Sequence, residues 1–277
     1  MIVKITISIV SLSIILSLVS CISRAPQVLN RIDQEAADAS FGTWDLCLNA
    51  QKKTGMPPIV QSDPFEPTSS YTKCDIEGFH VYISAEAFGD TDLLKRGYDL
   101  LRTKFSAINQ KIPSKHVEFF KKIKFWIELS RTSGAADYHP SEKWLLEHKI
   151  NPDKAKSIEL SNLKHLLEWS DEQPEMLLHE LAHAYHFIKL GEDYQPLIKR
   201  FNDVQASDLY QQVKHVNGSM KRAYALNNKF EFFAELSEAY WGKNDFYPFQ
   251  RDDLKAYDKV SYDLLGSIWD PACLIGI

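Results

Sequence analysis

The chain has 277 residues, 44% of them apolar and 25% charged, and a formal charge of −5. That balance belongs to a globular protein with a sizeable core and excludes disorder, collagen-like repeats and a multi-span membrane protein. It also lacks the basic footprint of a nucleic-acid binder, and four cysteines are too few for a disulfide scaffold.

Residues 1–20 read as an export signal. Lys4 precedes an uncharged run from Ile5 to Ser20, the short basic start and brief apolar core of a secretory segment. The run is shorter than the roughly 20 apolar residues of a spanning helix, and an uncleaved anchor is the alternative. Leu18-Val19-Ser20-Cys21 resembles a bacterial lipobox, in which Cys21 is lipidated and becomes the new N-terminus. A cleavage after Ser23 is the other reading. The expected location is therefore outside the cytoplasm, secreted or held to the envelope by an N-terminal lipid. In an oxidising compartment Cys47, Cys74 and Cys273 allow one bridge between any two of them, or none.

Residues 21–74 are expected to be a lead-in or tether. Pro57, Pro58, Pro64 and Pro67 stand close together and neither continue a helix nor pair inside a sheet. An amphipathic piece around Arg31–Leu48 is placed to pack on the main domain, expected over 75–277. There Phe79–Ile83 reads as a strand and Asp92–Asn109 as a helix with apolar residues at helical spacing. Ile123–Leu129 alternates as a second strand, followed by a polar loop from Ser130 to Pro140 and a short helix over Glu142–His148. Ser157–Ser161 is expected as an edge strand. Pro174 suits the first turn of a helix that runs to about Leu190 and stops at Gly191. Helices are expected over Tyr194–Ser207, Asn228–Trp241 and Lys255–Trp269. Strands and helices first, helices only later, give an α+β class. The six tryptophans read as core.

The chemistry concentrates in His179-Glu180-Leu181-Ala182-His183. Four residues apart on a helix, the two imidazoles share one face and can reach a single metal ion at about 2.0–2.1 Å. Glu180 lies beside that face, where a carboxylate can take a proton from a metal-activated water. A catalytic zinc commonly takes a third protein ligand. Lys189 stands where a metzincin needs histidine, which excludes that subclass. Glu231-Phe232-Phe233-Ala234-Glu235 offers a carboxylate instead: of Glu231 and Glu235, one can bind the metal while the other holds the outer nitrogen of a ligating histidine. Their spacing does not decide which. Tyr224 is placed to donate to a developing oxyanion, or simply packs with Ala223 and Leu226. Lys221 and Arg222 are candidates to neutralise the acidic pair. His186 and His139 have weak claims, as a ligand and at the cleft border. His80, His116, His148, His165 and His215 show no ligand spacing.

Taken together, the HExxH segment, Tyr224 and the Glu231–Glu235 segment resemble the catalytic domain of anthrax lethal-factor-like zinc metallopeptidases, from Glu175 to Trp241. Tyr240–Phe249 and the Tyr138-His139-Pro140 loop are similar to secreted bacterial and fungal zincin-like proteins. The resemblance implies a zincin-like fold of gluzincin type with one zinc per chain. It implies His179, His183 and Glu231 as ligands, Glu180 as general base and Tyr224 as oxyanion donor, with Glu235 supporting from outside. The implied activity is hydrolysis of a peptide or protein substrate. Tyr240–Phe249 and the Tyr138-His139-Pro140 loop do not match the large multidomain toxins, so no toxin role is implied, and Asn227-Asn228-Lys229-Phe230 before Glu231 departs from the thermolysin pattern. The alternative is a non-enzymatic envelope protein that keeps the fold and its metal site.

Overall fold

Alternating side chains build the first hairpin. Thr72–Ile76 (β1) and Phe79–Ile83 (β2) bury every second residue and pair antiparallel around Glu77 and Gly78, both at positive φ. Two such residues give a turn whose twist matches the flanking strands. The computed structural model describes residues 44–51 and 65–270. In it β2 pairs in parallel with Phe125–Ile127 (β3), and β3 in parallel with Ser157–Leu160 (β5). Asp137–His139 (β4) pairs antiparallel with β5 and closes the sheet at the order β1-β2-β3-β5-β4.

Helices accompany and then follow the sheet: residues 44–51 (α1), Thr91–Lys111 (α2), Ser114–Phe120 (α3), Glu142–Glu147 (α4), Leu163–Trp169 (α5), Met176–Tyr185 (α6), Gln195–Gln205 (α7), Lys229–Trp241 (α8), Arg251–Tyr257 (α9) and Lys259–Trp269 (α10). A five-stranded mixed sheet before a mostly helical C-terminal part is the expected α+β class. One sheet face carries the cross-strand row Val81, Phe125, Ile158 and Tyr138. Phe105 of α2 stacks on Phe79 at 4.1 Å on that side. Each such fully buried aromatic contributes about 1.5–3 kcal/mol through the area removed from water. Gly97 lets α2 cross α5 closely, since a Cβ there would lie 2.3 Å from Leu163 Cδ1.

The other face holds charge. Trp126 packs between Tyr71 and Tyr82, and Glu159 stands in its row, paired in register with Trp126. Lys154, 1% exposed, pairs with Glu128 and lies 2.6 Å from Glu159 Oε1. Arg131 grips both oxygens of Glu159, and His139 Nε2 lies 2.6 Å from its Oε2. Tyr71 donates its hydroxyl to Glu128 at 2.7 Å. Buried charges persist when each is paired in this way.

Several expectations change. Ser157–Ser161 is not an edge: all four residues of β5 are buried, between β3 and β4. A charged centre imitated a solvated strand, but Glu159 is met by three cationic or imidazole side chains inside the fold. The edge is β4, within the stretch expected to be a polar loop. The strand expected over Ile123–Leu129 covers only Phe125–Ile127. The helix expected over Lys255–Trp269 is broken at Asp258, which caps α10 by accepting from Ser261 N and pairs with Arg200 at 2.6 Å. The boundary placed before residue 75 cuts through β1. Trp44 and Cys47 of α1 join the core, and Cys47 is disulfide-bonded to Cys74. The proposed export signal, Cys21, Pro57, Pro58, Pro64 and Cys273 lie outside the described residues. Among the described residues no helix is long and apolar enough to cross a membrane.

Candidate metal centre

The helix that carries the two histidines is held by its apolar residues. Leu177, Leu178, Leu181, Ala182 and Ala184 of α6 are buried, which fixes the rotation of the helix. Its last turn widens into a π turn over His186–Leu190 and ends at Gly191, whose φ of 81° suits glycine. His179 and His183 therefore stand one turn apart, with ring centroids separated by 4.7 Å. Facing them, α8 starts at Asn228, whose side chain accepts from the Phe230 and Glu231 amides. This cap sets Glu231 in the first turn. Glu235 and Glu238 follow at four and three residues, a stripe on the side that packs along α6.

Glu231 Oε2 lies 2.9 Å from His179 Nε2 and 3.4 Å from His183 Nε2. The three donor atoms lie within 4.8 Å of one another. Donors about 2.0–2.1 Å from a tetrahedral centre are about 3.3 Å apart, so the spacing fits one ion with little adjustment. Two imidazoles and a carboxylate form a donor set for a divalent transition-metal ion. This buried His/Glu group can hold a metal ion.

The outer nitrogen of His179 is also held. Its Nδ1 lies 2.6 Å from Glu238 Oε1 and 3.8 Å from Glu235 Oε1. Both ring nitrogens thus face carboxylates. Burial opposes a charge on this ring, but the bonds to Glu231 and Glu238 outweigh it and raise its pKa. The space between Nε2 and Glu231 calls for positive charge, a proton or a metal ion. Burial likewise opposes ionisation of Glu231, yet bonds from His179 and His183 hold its carboxyl well below the usual range. Burial pushes Glu238 up to about 7 against the pull of His179. Burial, then Glu238 and Asp245, push Glu235 up as well.

Glu180 is buried, and its Oε2 accepts the Tyr138 N–H at 2.7 Å. The register of β4 explains that bond. Ala135 and His139 turn their carbonyls inward, to Ser161 N at 3.1 Å and Lys156 N at 2.6 Å. Alternation then points the main-chain groups of Ala136 and Tyr138 to the open edge. His179, Glu180, Ala136 and Tyr224 all border one cavity of about 410 Å³. Tyr224 is 47% exposed on a short 3-10 turn, and burial and then Glu231 raise its hydroxyl pKa. Lys221 is exposed, and Arg222 donates to Asn227 Oδ1 and the Leu226 carbonyl, fixing the turn that carries Tyr224.

The structure thus brings His179, His183, Glu231, Glu180 and Tyr224 together. Of the two orders left open for Glu231 and Glu235, Glu231 faces both Nε2 atoms. The atom against the outer nitrogen belongs to Glu238, which the sequence reading missed. Its signal was the third glutamate of the stripe, at helical spacing from the other two. His215 and Asp245 were also missed; they stand 3.5 Å apart on the cavity wall. His139 serves Glu159 rather than the cavity. His186 is fully buried, and neither ring nitrogen finds a hydrogen-bond partner among the described residues. Trp126 and Trp269 are core, whereas Trp169 is 38% exposed and borders the cavity. No family model, curated protein or solved structure matches the chain.

Proposed function

We propose that the protein is a zinc-dependent metallopeptidase of gluzincin type, a zincin-like enzyme that acts outside the cytoplasm on a peptide or protein substrate. The observation that carries this reading is the convergence of His179 Nε2, His183 Nε2 and Glu231 Oε2, with Glu180 beside His179 on the wall of one cavity. His179, His183 and Glu231 would hold the ion. When bound, zinc supplies Lewis acidity, acidifying a water and polarising a carbonyl oxygen.

The remaining work belongs to side chains and the sheet edge. Glu180, oriented by the Tyr138 amide, takes the proton of the attacking water and returns it to the leaving amine. Tyr224 donates its hydroxyl to the negative charge that grows on the former carbonyl oxygen. An extended substrate pairs with the outward main-chain groups of β4, of which Ala136 borders the cavity, and so lies across α6. Glu238 holds the His179 ring through Nδ1, fixing the tautomer that presents Nε2. The Cys47–Cys74 bridge supports an oxidising compartment.

The test is metal content together with cleavage of a mixed peptide library by the purified chain, with and without a chelator. One zinc per chain and chelator-sensitive cleavage are expected. Metal without any cleavage would assign the protein instead as a binding protein that keeps the site.

A further inference from the structure

The cavity that His179 and Glu180 border has further acidic residues on its wall. Glu235, Glu238 and Asp245 form its acidic part, with His215 beside Asp245 and Trp169 and Phe246 supplying aromatic surface. No lysine or arginine lines it among the described residues. Glu235 and Asp245 are 4% and 5% exposed. One oxygen of Glu235, Oε2, is buried with no hydrogen-bond partner among the described residues. Buried carboxylate oxygens are ordinarily paired. Glu235 borders a cavity large enough for a ligand group.

We propose that this cavity receives a positively charged side chain, lysine or arginine, of the peptide substrate, and that Glu235 and Asp245 set the preference for it. The identity of the ligand as a peptide rests on the peptidase reading. An ammonium or guanidinium group brings several N–H donors to a wall whose carboxylates outnumber its imidazoles, and its alkyl stem lies against Trp169 and Phe246. A second metal ion fits less well, although His179, Glu235 and Glu238 offer three donor atoms within 4.8 Å. With Nε2 turned to the first ion, Nδ1 carries the ring proton and gives it to Glu238, so it has no lone pair for another. Carboxylates alone remain, and they suit an N–H cation that enters from the cleft.

The experiment separates binding from hydrolysis. Labelled copies of one neutral decapeptide carry Lys, Arg, norleucine or Glu at each position in turn. Their affinities are measured by anisotropy on zinc-loaded Glu180→Gln, and their kcat/KM on the unmodified chain. At one position Lys and Arg should bind at least 10-fold more tightly than norleucine, with Glu weakest. Adding Asp245→Asn or Glu235→Gln should cut that ratio to about threefold or less. Equal affinity for all four residues overturns the assignment, as does a ratio that survives in both folded variants or a second metal equivalent per chain. If neither variant folds, n-butylammonium and n-butanol are compared as competitors on Glu180→Gln. Selective competition by the ammonium supports the proposal, and equal competition overturns it. A lysine preference in binding without any hydrolysis overturns the peptidase reading and leaves the cavity assignment standing.

Discussion

Beneath the sheet, Glu128 and Glu159 meet Lys154, Arg131 and His139; beside α6, Glu231, Glu235, Glu238 and Asp245 find His179, His183 and His215 as their ion-pair partners among the described residues. Both groups of carboxylates are largely withdrawn from water. The first is neutralised by permanent cations from the same chain, and its hydrogen bonds close on themselves. The burial of Glu159 opposes its charge, yet His139, Arg131 and Lys154 hold its carboxyl well below the usual range. The second has imidazoles that can surrender a proton to an ion, and one carboxylate oxygen without a hydrogen-bond partner among the described residues. Where charge only builds the fold, the fold completes it; beside α6 it leaves room for a cation from outside.

The contrast can be broken at either end. The largest effect is expected for Glu180→Gln, which should lower kcat on the best peptide by about 10²- to 10⁴-fold while elemental analysis still finds one zinc. Full activity would remove Glu180 from the role of base. Next, Lys154→Met leaves Glu128 and Glu159 short of their buried cation and should cost about 3–5 kcal/mol in urea unfolding. A chain as stable as the parent would mean that the network beneath the sheet is no more self-sufficient than the site.

His186 tests a third situation, a buried imidazole with no hydrogen-bond partner among the described residues. Burial, then His183 and Lys229, lower its pKa from 6.5 to about 4. The unfolded chain therefore binds its proton first as pH falls. Stability should be intact above pH 6.5 and decline by about 3 kcal/mol on the way to pH 4. In His186→Phe that part of the slope should vanish from denaturation curves taken across this range. The smallest shift is expected for Glu238→Gln, which loosens the His179 ring and should weaken zinc about 10- to 100-fold in a chelator competition. An unchanged affinity would leave Glu238 with the acidic wall alone.

The sequence made the site more legible than the sheet. His179, Glu180 and His183 follow from helical spacing, and the apolar residues around them announce a buried helix. The i, i+4 pair Glu231 and Glu235 pointed to the right helix, but a ladder of glutamates has no marker for which rung meets which nitrogen. That order depends on where Asn228 caps α8. The edge strand was hidden because β4 is three residues long, too short for an alternation to show. Glu159 misled for the opposite reason: a charge in a strand looks solvated until its partners arrive from residues 131, 139 and 154. Asp245 and His215 lie outside any helical pattern and meet only through the fold.

The short edge strand has one more consequence. The Tyr138 amide reaches Glu180 only because β4 is paired with β5 in one register, kept by Ala135 and His139. A slip of one residue would turn that amide inward and leave the glutamate without its main-chain donor. The orientation of a single carboxylate is thus written in a strand alignment, and His139, clasped by Glu159, acts as the peg that keeps the alignment from sliding.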